Sequence, residues 1–565
     1  MKLKYKLLYL LEFMFILYWL LSLTNVESYY GPYLLVGIAS ICFKVVKLVN
    51  KKEYKKQSRK ELIITNIFAI ILCLMVVLAN YRELTSKLEI LIITIGGYLA
   101  FKEILLGIYS FDGFDRCKND KRNNKYIWLL MWSAIVVVDL IVLFGALYPG
   151  VLSPDSISQV KQIMTGTYSN HHPYYYTQVI RLCINLGMLL FDDINKAVCL
   201  YSCFSICMMA LCFVYTVNTI GYITNNRGLT IIIFLWYLVM PFHIIYAITM
   251  WKDVFFGGVV TGLVVSIYRY LNNIGNNKIN LIVITLMSLG TCLFRSNGFI
   301  AFAISTILFV VLFKNKYKKL LIIFVVVLIS SYILKHPVLD SLNVSQPSIV
   351  ESLSIPLQQI SRVIVDEKEL TSEEKELINK VTDIDVIKEK YKSTISDPVK
   401  YYIRDYGNVE YLKEYKFDFI KLYIEIGLKY PSEYIEAWVD QTKGYFNSGY
   451  DYWKWSTGLY ENNFGINRTV NSEFISYLLY RYSCWEGVHV IQPFISIGFY
   501  VWITIICLYN AIMKRNKASA FVAIPFLAVI FTLLIATPVY SEFRYAYALF
   551  CGMPFVIICS MYKEN

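Results

Sequence analysis

Apolar runs separated by short polar loops recur along most of this chain, and within each run the apolar residues are continuous rather than alternating. Alternation marks a strand with one wet face, whereas a helix crossing lipid is apolar over about 20 residues. The runs near 6–23, 30–49, 61–80, 88–108, 126–148, 196–220, 229–248, 254–270, 279–295, 298–314, 319–334, 490–512, 518–537 and 545–562 therefore predict helical spans, fourteen in all. In hydrocarbon every backbone amide must be satisfied within the segment, which leaves helices or a closed barrel. Continuous runs choose helices. The predicted fold class is an all-α polytopic membrane protein with a mainly helical domain outside the membrane.

Polar positions then set orientation. Lys44, Lys47, Lys51, Lys52, Lys55, Lys56, Arg59 and Lys60 follow the second run; Lys118, Lys121, Arg122 and Lys125 follow the fourth. Arg227, the pair Arg269 and Lys278, the group Lys314, Lys316, Lys318 and Lys319, and the group Lys514, Arg515 and Lys517 follow later even-numbered runs. All of them fall on one side if both termini are cytoplasmic, as the positive-inside rule asks. The segments 149–195, 249–254, 335–489 and 538–545 then face outward. Four regions result: an N-terminal four-helix membrane region 1–125, a membrane core 126–334 with its first outer loop at 149–195, an extracytoplasmic domain 335–489, and a C-terminal three-helix region 490–565.

Composition agrees. Of 565 residues, 57% are hydrophobic, and mean hydropathy is +0.50. The net charge of +13 does not point to nucleic acid, because the basic residues sit in loops between apolar runs. Most of the 13 cysteines, such as Cys42, Cys73, Cys199, Cys203, Cys207, Cys507 and Cys559, lie in apolar runs and behave as small hydrophobes. Cys484 stands in an outer segment with no evident partner. The first run, after Lys2 and Lys4, lacks a small-residue cleavage site and reads as a signal anchor. In the outer domain, Thr371-Ser372-Glu373-Glu374 is a helix-start signature, helical periodicity runs through 373–392 and 411–429, and 444–465 is rich in Tyr, Trp and Gly, including Gly449, Tyr450, Tyr452 and Trp453.

Candidate chemistry concentrates in the outward segments. The first holds Tyr148-Pro149-Gly150-Val151-Leu152-Ser153-Pro154-Asp155-Ser156 and then Ser169-Asn170-His171-His172-Pro173-Tyr174-Tyr175. Locally, Ser153 suits an N-cap, Pro154 the first helical position and Asp155 the positive end of the helix dipole. Such a start is also a rigid mount for a carboxylate that accepts a proton or holds a divalent metal. Met250-Trp251-Lys252-Asp253 places an ion pair where a turn re-enters the membrane, a position that by default marks function. Arg295, in Phe294-Arg295-Ser296-Asn297-Gly298, and Arg544, in Glu542-Phe543-Arg544-Tyr545, supply permanent charge and a bidentate fork on the same side. His171 and His172, with Glu542, are candidates for touching substrate or metal; His243, after Pro241 in an apolar context, reads as structural. No Gly-rich phosphate loop, Cys-x-x-Cys pattern or Gly-x-Ser-x-Gly elbow occurs, which argues against ATP hydrolysis.

An acid in the first outer loop, followed by a His-Pro-aromatic stretch, resembles the GT-C class of membrane glycosyltransferases, which includes the protein O-mannosyltransferases and bacterial enzymes using polyprenyl-phosphate sugars. More narrowly, Pro-Gly-x-x-Ser-Pro-Asp-Ser and Asn-His-His-Pro resemble an uncharacterised family of Gram-positive multi-pass membrane proteins. The wider resemblance covers about 126–334 and the last three spans. It implies a GT-C-like fold in a bacterial cytoplasmic membrane with an extracytoplasmic active face. The implied donor is a polyprenyl-phosphate-linked sugar, and the implied acceptor a cell-wall glycopolymer, lipid or protein. It also implies that Asp155 is the catalytic base and Asp253 a second catalytic acid, with both as candidate metal ligands for Mg or Mn; Arg544, Arg295 and Lys252 would hold the phosphate. Two other readings stand beside it. A polysaccharide polymerase or ligase of the O-antigen type would rely on arginine and histidine. A lipid or oligosaccharide transporter would show inverted halves and mid-span charges, which the sequence does not display.

Overall fold

The computed structural model describes residues 2–26, 30–50, 57–84, 86–111, 113–114, 125–314, 316–448, 454–484 and 491–562. Gly449, Tyr450, Tyr452 and Trp453 of the aromatic segment lie outside these residues, as do Lys51, Lys52, Lys55, Lys56, Lys118, Lys121 and Arg122 of the basic loops. Among the described residues the fold is helical, and extended backbone pairs only as isolated bridges.

Each of the fourteen apolar runs coincides with helix. Nine described helices are long and apolar enough to cross a membrane: Leu7–Thr24, Arg59–Asn80, Lys87–Ser110, Lys125–Leu147, Ile194–Thr224, Lys252–Leu271, Lys318–Ser341, Lys517–Ala536 and Phe543–Met561. Arg227–Val239 and Pro241–Ile248 make a tenth if counted as one span bent by 52°. Pro241 causes the break, because it cannot donate to the helical ladder. Asn277–Leu293, Gly298–Phe313 and Ile497–Met513 are apolar but shorter. This is the architecture of a polytopic membrane protein.

Helix starts in the turns carry side-chain caps, which satisfy amides that have no partner within the helix. Ser58 and Glu61 form a reciprocal capping box, and Asn226, Asn276 and Asn516 cap the helices that follow them. In the segment 335–489 Thr371 and Glu374 form the box that the sequence predicts. The periodic stretches there each divide in two, Ser372–Asn379 with Ile384–Lys390 and Val409–Glu414 with Lys416–Lys429.

One sequence assignment is corrected. Lys44 does not belong to a basic loop: it lies within Gly31–Asn50, 2% exposed, with Nζ 2.5 Å from Glu12 Oε2 and 4.0 Å from Glu103 Oε1. Burial excludes water from that ammonium, and two carboxylates on neighbouring helices supply its counter-charge. Polar groups are therefore not confined to helix ends.

The segment 335–489 is fastened to the apolar helices by Pro431–Phe446. Arg82, between two N-terminal helices, donates to Asp440 Oδ2 at 2.8 Å and pairs with Glu436; Arg362 reaches the same two acids at 3.4 and 3.1 Å. Farther along, Tyr445 Oη and Trp502 Nε1 donate to the Val539 and Phe446 carbonyls, at 3.0 and 2.9 Å. The most enclosed spans are Lys252–Leu271, Lys517–Ala536 and Phe543–Met561, each 78% buried along its apolar window. The first and last of these carry the charged groups described next.

Candidate functional site

Pro149-Gly150 brings the loop that follows Leu143–Leu147 against the helix Ile194–Thr224. A Cβ on Gly150 would stand 2.4 Å from Ser202 Oγ, and Ser202 Oγ donates to the Pro149 carbonyl at 2.9 Å. The next residue pairs with the turn after Pro241–Ile248: Val151 N donates to Ile248 O at 3.2 Å, and Met250 N donates to Val151 O at 3.0 Å. Leu152 O accepts from Tyr460 N at 2.9 Å, so the segment 335–489 covers the same loop. Ser153 then caps Pro154–Thr165, as expected, and its Oγ also accepts from Trp251 Nε1 at 2.7 Å. Ser156 Oγ donates to Met250 O at 2.8 Å. These bonds set two helix N-termini side by side, one carrying Asp155 and the other Lys252 and Asp253.

The third contributor arrives from the far end of the chain. The turn Phe543–Ala546 presents Arg544, whose Nη1 donates to Asp155 Oδ2 at 2.9 Å. Lys252 Nζ lies 3.7 Å from the same oxygen and 3.3 Å from His172 Nδ1. Glu542 Oε1 stands 2.8 Å from Arg544 Nε, and the Arg544 guanidinium lies over Trp251, 5.1 Å from the ring centroid. Arg295 Nη1 is 3.1 Å from Asp253 Oδ1 and donates to the Tyr545 carbonyl at 3.1 Å. Its guanidinium is out of line with the carboxylate, so neither oxygen of Asp253 accepts a hydrogen bond from the described residues. Arg295 is held in its tight turn by Gly298, where a Cβ would meet the Thr291 carbonyl at 1.9 Å.

The candidate site residues other than His171 thus fall into two ion-paired groups, Asp155 with Lys252, Arg544 and Glu542, and Asp253 with Arg295, with His172 set against Lys252. His171 lies beside them, its ring 4.8 Å from that of His172. Exposure divides the set. The side chains of Asp155, Lys252 and Arg544 are 33%, 17% and 17% exposed, whereas those of Asp253 and Glu542 are 0% and 4%. A ligand can touch the first three. The two sealed carboxylates act only through the arginines they face.

Electrostatics follow from these positions. Burial works against ionisation of Asp155, but Lys252 and Arg544 outweigh it and hold the carboxyl below the usual carboxylate range. Burial pushes Glu542 up to about 7, with Arg544 offsetting only part of it. Burial and the ammonium of Lys252 bring His172 down to about 3, so the ring is neutral at physiological pH and its Nδ1 lone pair can accept from Lys252. The two carboxylates assigned to a metal each face a cation instead, and among the described residues no three His, Cys, Asp or Glu side chains converge as metal ligands. This donor set does not fit a resident divalent ion.

The segment 335–489 contributes a rim that sequence reasoning missed. Ser345 pairs with Tyr168 and Asn170, while Ser396 N donates to Pro538 O and Tyr540 N donates to Thr394 O, at 2.9 and 3.1 Å. The segment therefore grips both loops that carry the site. Its Glu351, paired with Lys400 at 2.9 Å and Arg404 at 3.3 Å, acts electrostatically on His171, and Tyr401, 46% exposed, feels the charge of Asp155. The available signal was Lys400 and Arg404, one helical turn apart after Asp397-Pro398. That spacing also describes an ordinary solvated helix face.

Comparison with known proteins matched residues 81–565 to the model of a family of unknown function, DUF6020. No curated protein and no solved structure matched the chain.

Proposed function

Starting from a chain that belongs to the DUF6020 family, we propose that it is a GT-C-like glycosyltransferase. In this reading it moves a sugar from a polyprenyl-phosphate carrier to an acceptor at the outer membrane face, with all fourteen apolar helices crossing and both termini cytoplasmic. One observation carries the reading: Asp155, Lys252 and Arg544, from three distant parts of the chain, meet around one carboxylate oxygen at a partly open position. A carboxylate that accepts a proton and two cations that accept a phosphate are the groups this reaction requires.

The ion pairs suggest how the groups act in turn. Without substrate, Asp155 is a weak base, because Lys252 and Arg544 stabilise its charge. A donor phosphate competes for those cations, and Arg is suited to it by its planar fork. Once they turn to phosphate, the carboxylate regains basicity. The acceptor hydroxyl oxygen attacks the anomeric carbon and its proton passes to Asp155. The bond from that carbon to the phosphate oxygen breaks, and its electron pair leaves on the phosphate, neutralised by Arg544 and Lys252. Asp253 and Glu542 are positioning residues, holding Arg295 and Arg544. Tyr401 and the aromatic residues of the outer domain supply faces on which acceptor sugar rings stack. No step passes through a metal ion.

The test is transfer from radiolabelled polyprenyl-phosphate sugars to a cell-envelope acceptor extract by the purified protein. Asp155→Asn and Arg544→Lys should each lower transfer by about 10²-fold or more, the size typical of losing a general base or a charge-stabilising donor. Transfer by wild type should persist in EDTA. Retained transfer in Asp155→Asn would move the protein to the arginine- and histidine-based polymerases and ligases.

The buried Lys44 with Glu12 and Glu103 supports a second reading, lipid or oligosaccharide transport, since charges inside a helix bundle mark transport pathways. Lipid movement across vesicles that stops in Lys44→Met, with no turnover of any donor, would establish it.

A further inference from the structure

The last helix, Tyr547–Met561, has the charged site at its first turn and a different feature at its other end. There a cavity of about 380 Å³ opens between the N-terminal and C-terminal membrane regions, lined by Phe43, Ile108, Phe111, Ile503, Ile506 and Ile557 among others. Two polar side chains on its wall are largely engaged within the protein: Asn510 Nδ2 donates to Ser560 O and Ser560 Oγ to Ile557 O, both at 2.8 Å. Asn510 Oδ1 has no partner among the described residues. A single acceptor cannot hold a water cluster, since each buried water needs two to four polar partners. Interiors packed to crystal density do not leave dry voids of this size. The cavity is therefore shaped for hydrocarbon.

The turn that follows Ile497–Met513 is basic: Lys514 has its ammonium buried 5.9 Å from the ring centroid of Phe111, one of the lining residues, and Arg515 and Lys517 are exposed. We propose that this cavity binds one acyl chain of an anionic phospholipid whose headgroup rests on Arg515 and Lys517 of that turn. The lipid would join helices from two membrane regions, Lys87–Ser110 and Gly31–Asn50 on one side and Ile497–Met513 and Tyr547–Met561 on the other. This site is separate from the charged one and stands whether or not the protein transfers sugars.

The experiment places full-length protein in phosphatidylcholine nanodiscs containing a trace of phosphatidylglycerol with a photoreactive diazirine on its acyl chain. Cross-linked peptides are then mapped by mass spectrometry. Label should concentrate on 107–111, 503–510 and 557–561 over the peripheral helix Lys318–Ile333. Unlabelled phosphatidylglycerol should suppress it about fivefold more effectively than phosphatidylcholine, the preference expected of one or two basic residues at the surface. Ile506→Trp, which fills the cavity, should remove the label, and Arg515→Gln with Lys517→Gln should abolish the preference for the anionic lipid. Even labelling of all lipid-facing helices, or equal competition by the two lipids, would overturn the proposal. If Ile506→Trp does not fold, the competition on wild type decides alone.

Discussion

At Glu542 and His172, burial and neighbouring charge set protonation in opposite senses. Glu542 is raised from 4.5 to about 7, so the folded protein keeps a proton that the unfolded chain has released between those values. Its contribution to stability is complete below pH 4.5 and is lost as pH rises through 7, amounting to at most about 3 kcal/mol. Thermal melts in detergent between pH 5 and 8 should therefore show a declining melting temperature that Glu542→Gln flattens. His172 is lowered from 6.5 to about 3, so its contribution is present above 6.5 and is lost as pH falls toward 3. Nitrogen-15 histidine spectra should show His172 neutral at pH 5.5, where a solvent-exposed ring is largely protonated; a signal of imidazolium there would refute the placement beside Lys252. The sequence made these residue types visible at helix ends and turns, and their chemistry could be named. Their protonation could not, because it depends on partners up to 389 residues away, as for Asp155 and Arg544.

Among the elements, short loops fix the positions that matter. Gly150 lets the Pro149-Gly150 turn approach Ser202, and an added methyl would strike that hydroxyl. Gly150→Ala should destabilise the protein by about 1–3 kcal/mol, as overpacking generally does, and Ser202→Ala should recover part of the loss. Losses that simply add in the melting temperatures would refute the contact. The junction of Arg82 and Arg362 with Glu436 and Asp440 is partly solvated, so Arg82→Ala should cost only about 1 kcal/mol globally. It should nevertheless raise hydrogen exchange in Pro431–Phe446, because that helix loses its link to the N-terminal region. Helix starts at Ser153 and Thr371 were legible because capping is local chemistry within four residues. The periodic stretches 373–392 and 411–429 are helical but interrupted, at Lys380–Asp383 and Tyr415, because period alone does not reveal where a chain turns to meet a neighbour.

For the whole molecule, the proposed topology puts Cys484 and the charged site on one side and Arg515 on the other. Membrane-impermeant maleimide applied to intact cells should label exposed Cys484 but leave an Arg515→Cys variant, made in a Cys484→Ser background, unlabelled until the membrane is opened. The reverse pattern would invert the topology and remove the outer-face reading. The helical membrane architecture was determined by the sequence itself, since the cost of an unsatisfied amide in lipid acts on each apolar run separately. The capped starts beside Asp155 and at Thr371 were fixed in the same local way. Only the tertiary structure decided that Lys44 is a buried ion-pair centre rather than a loop charge, that Asp253 and Glu542 are sealed behind arginines, and that the segment 335–489 grips both site loops. Those outcomes depend on which helices pack together, and burial and charge pairing exist only once distant segments have met.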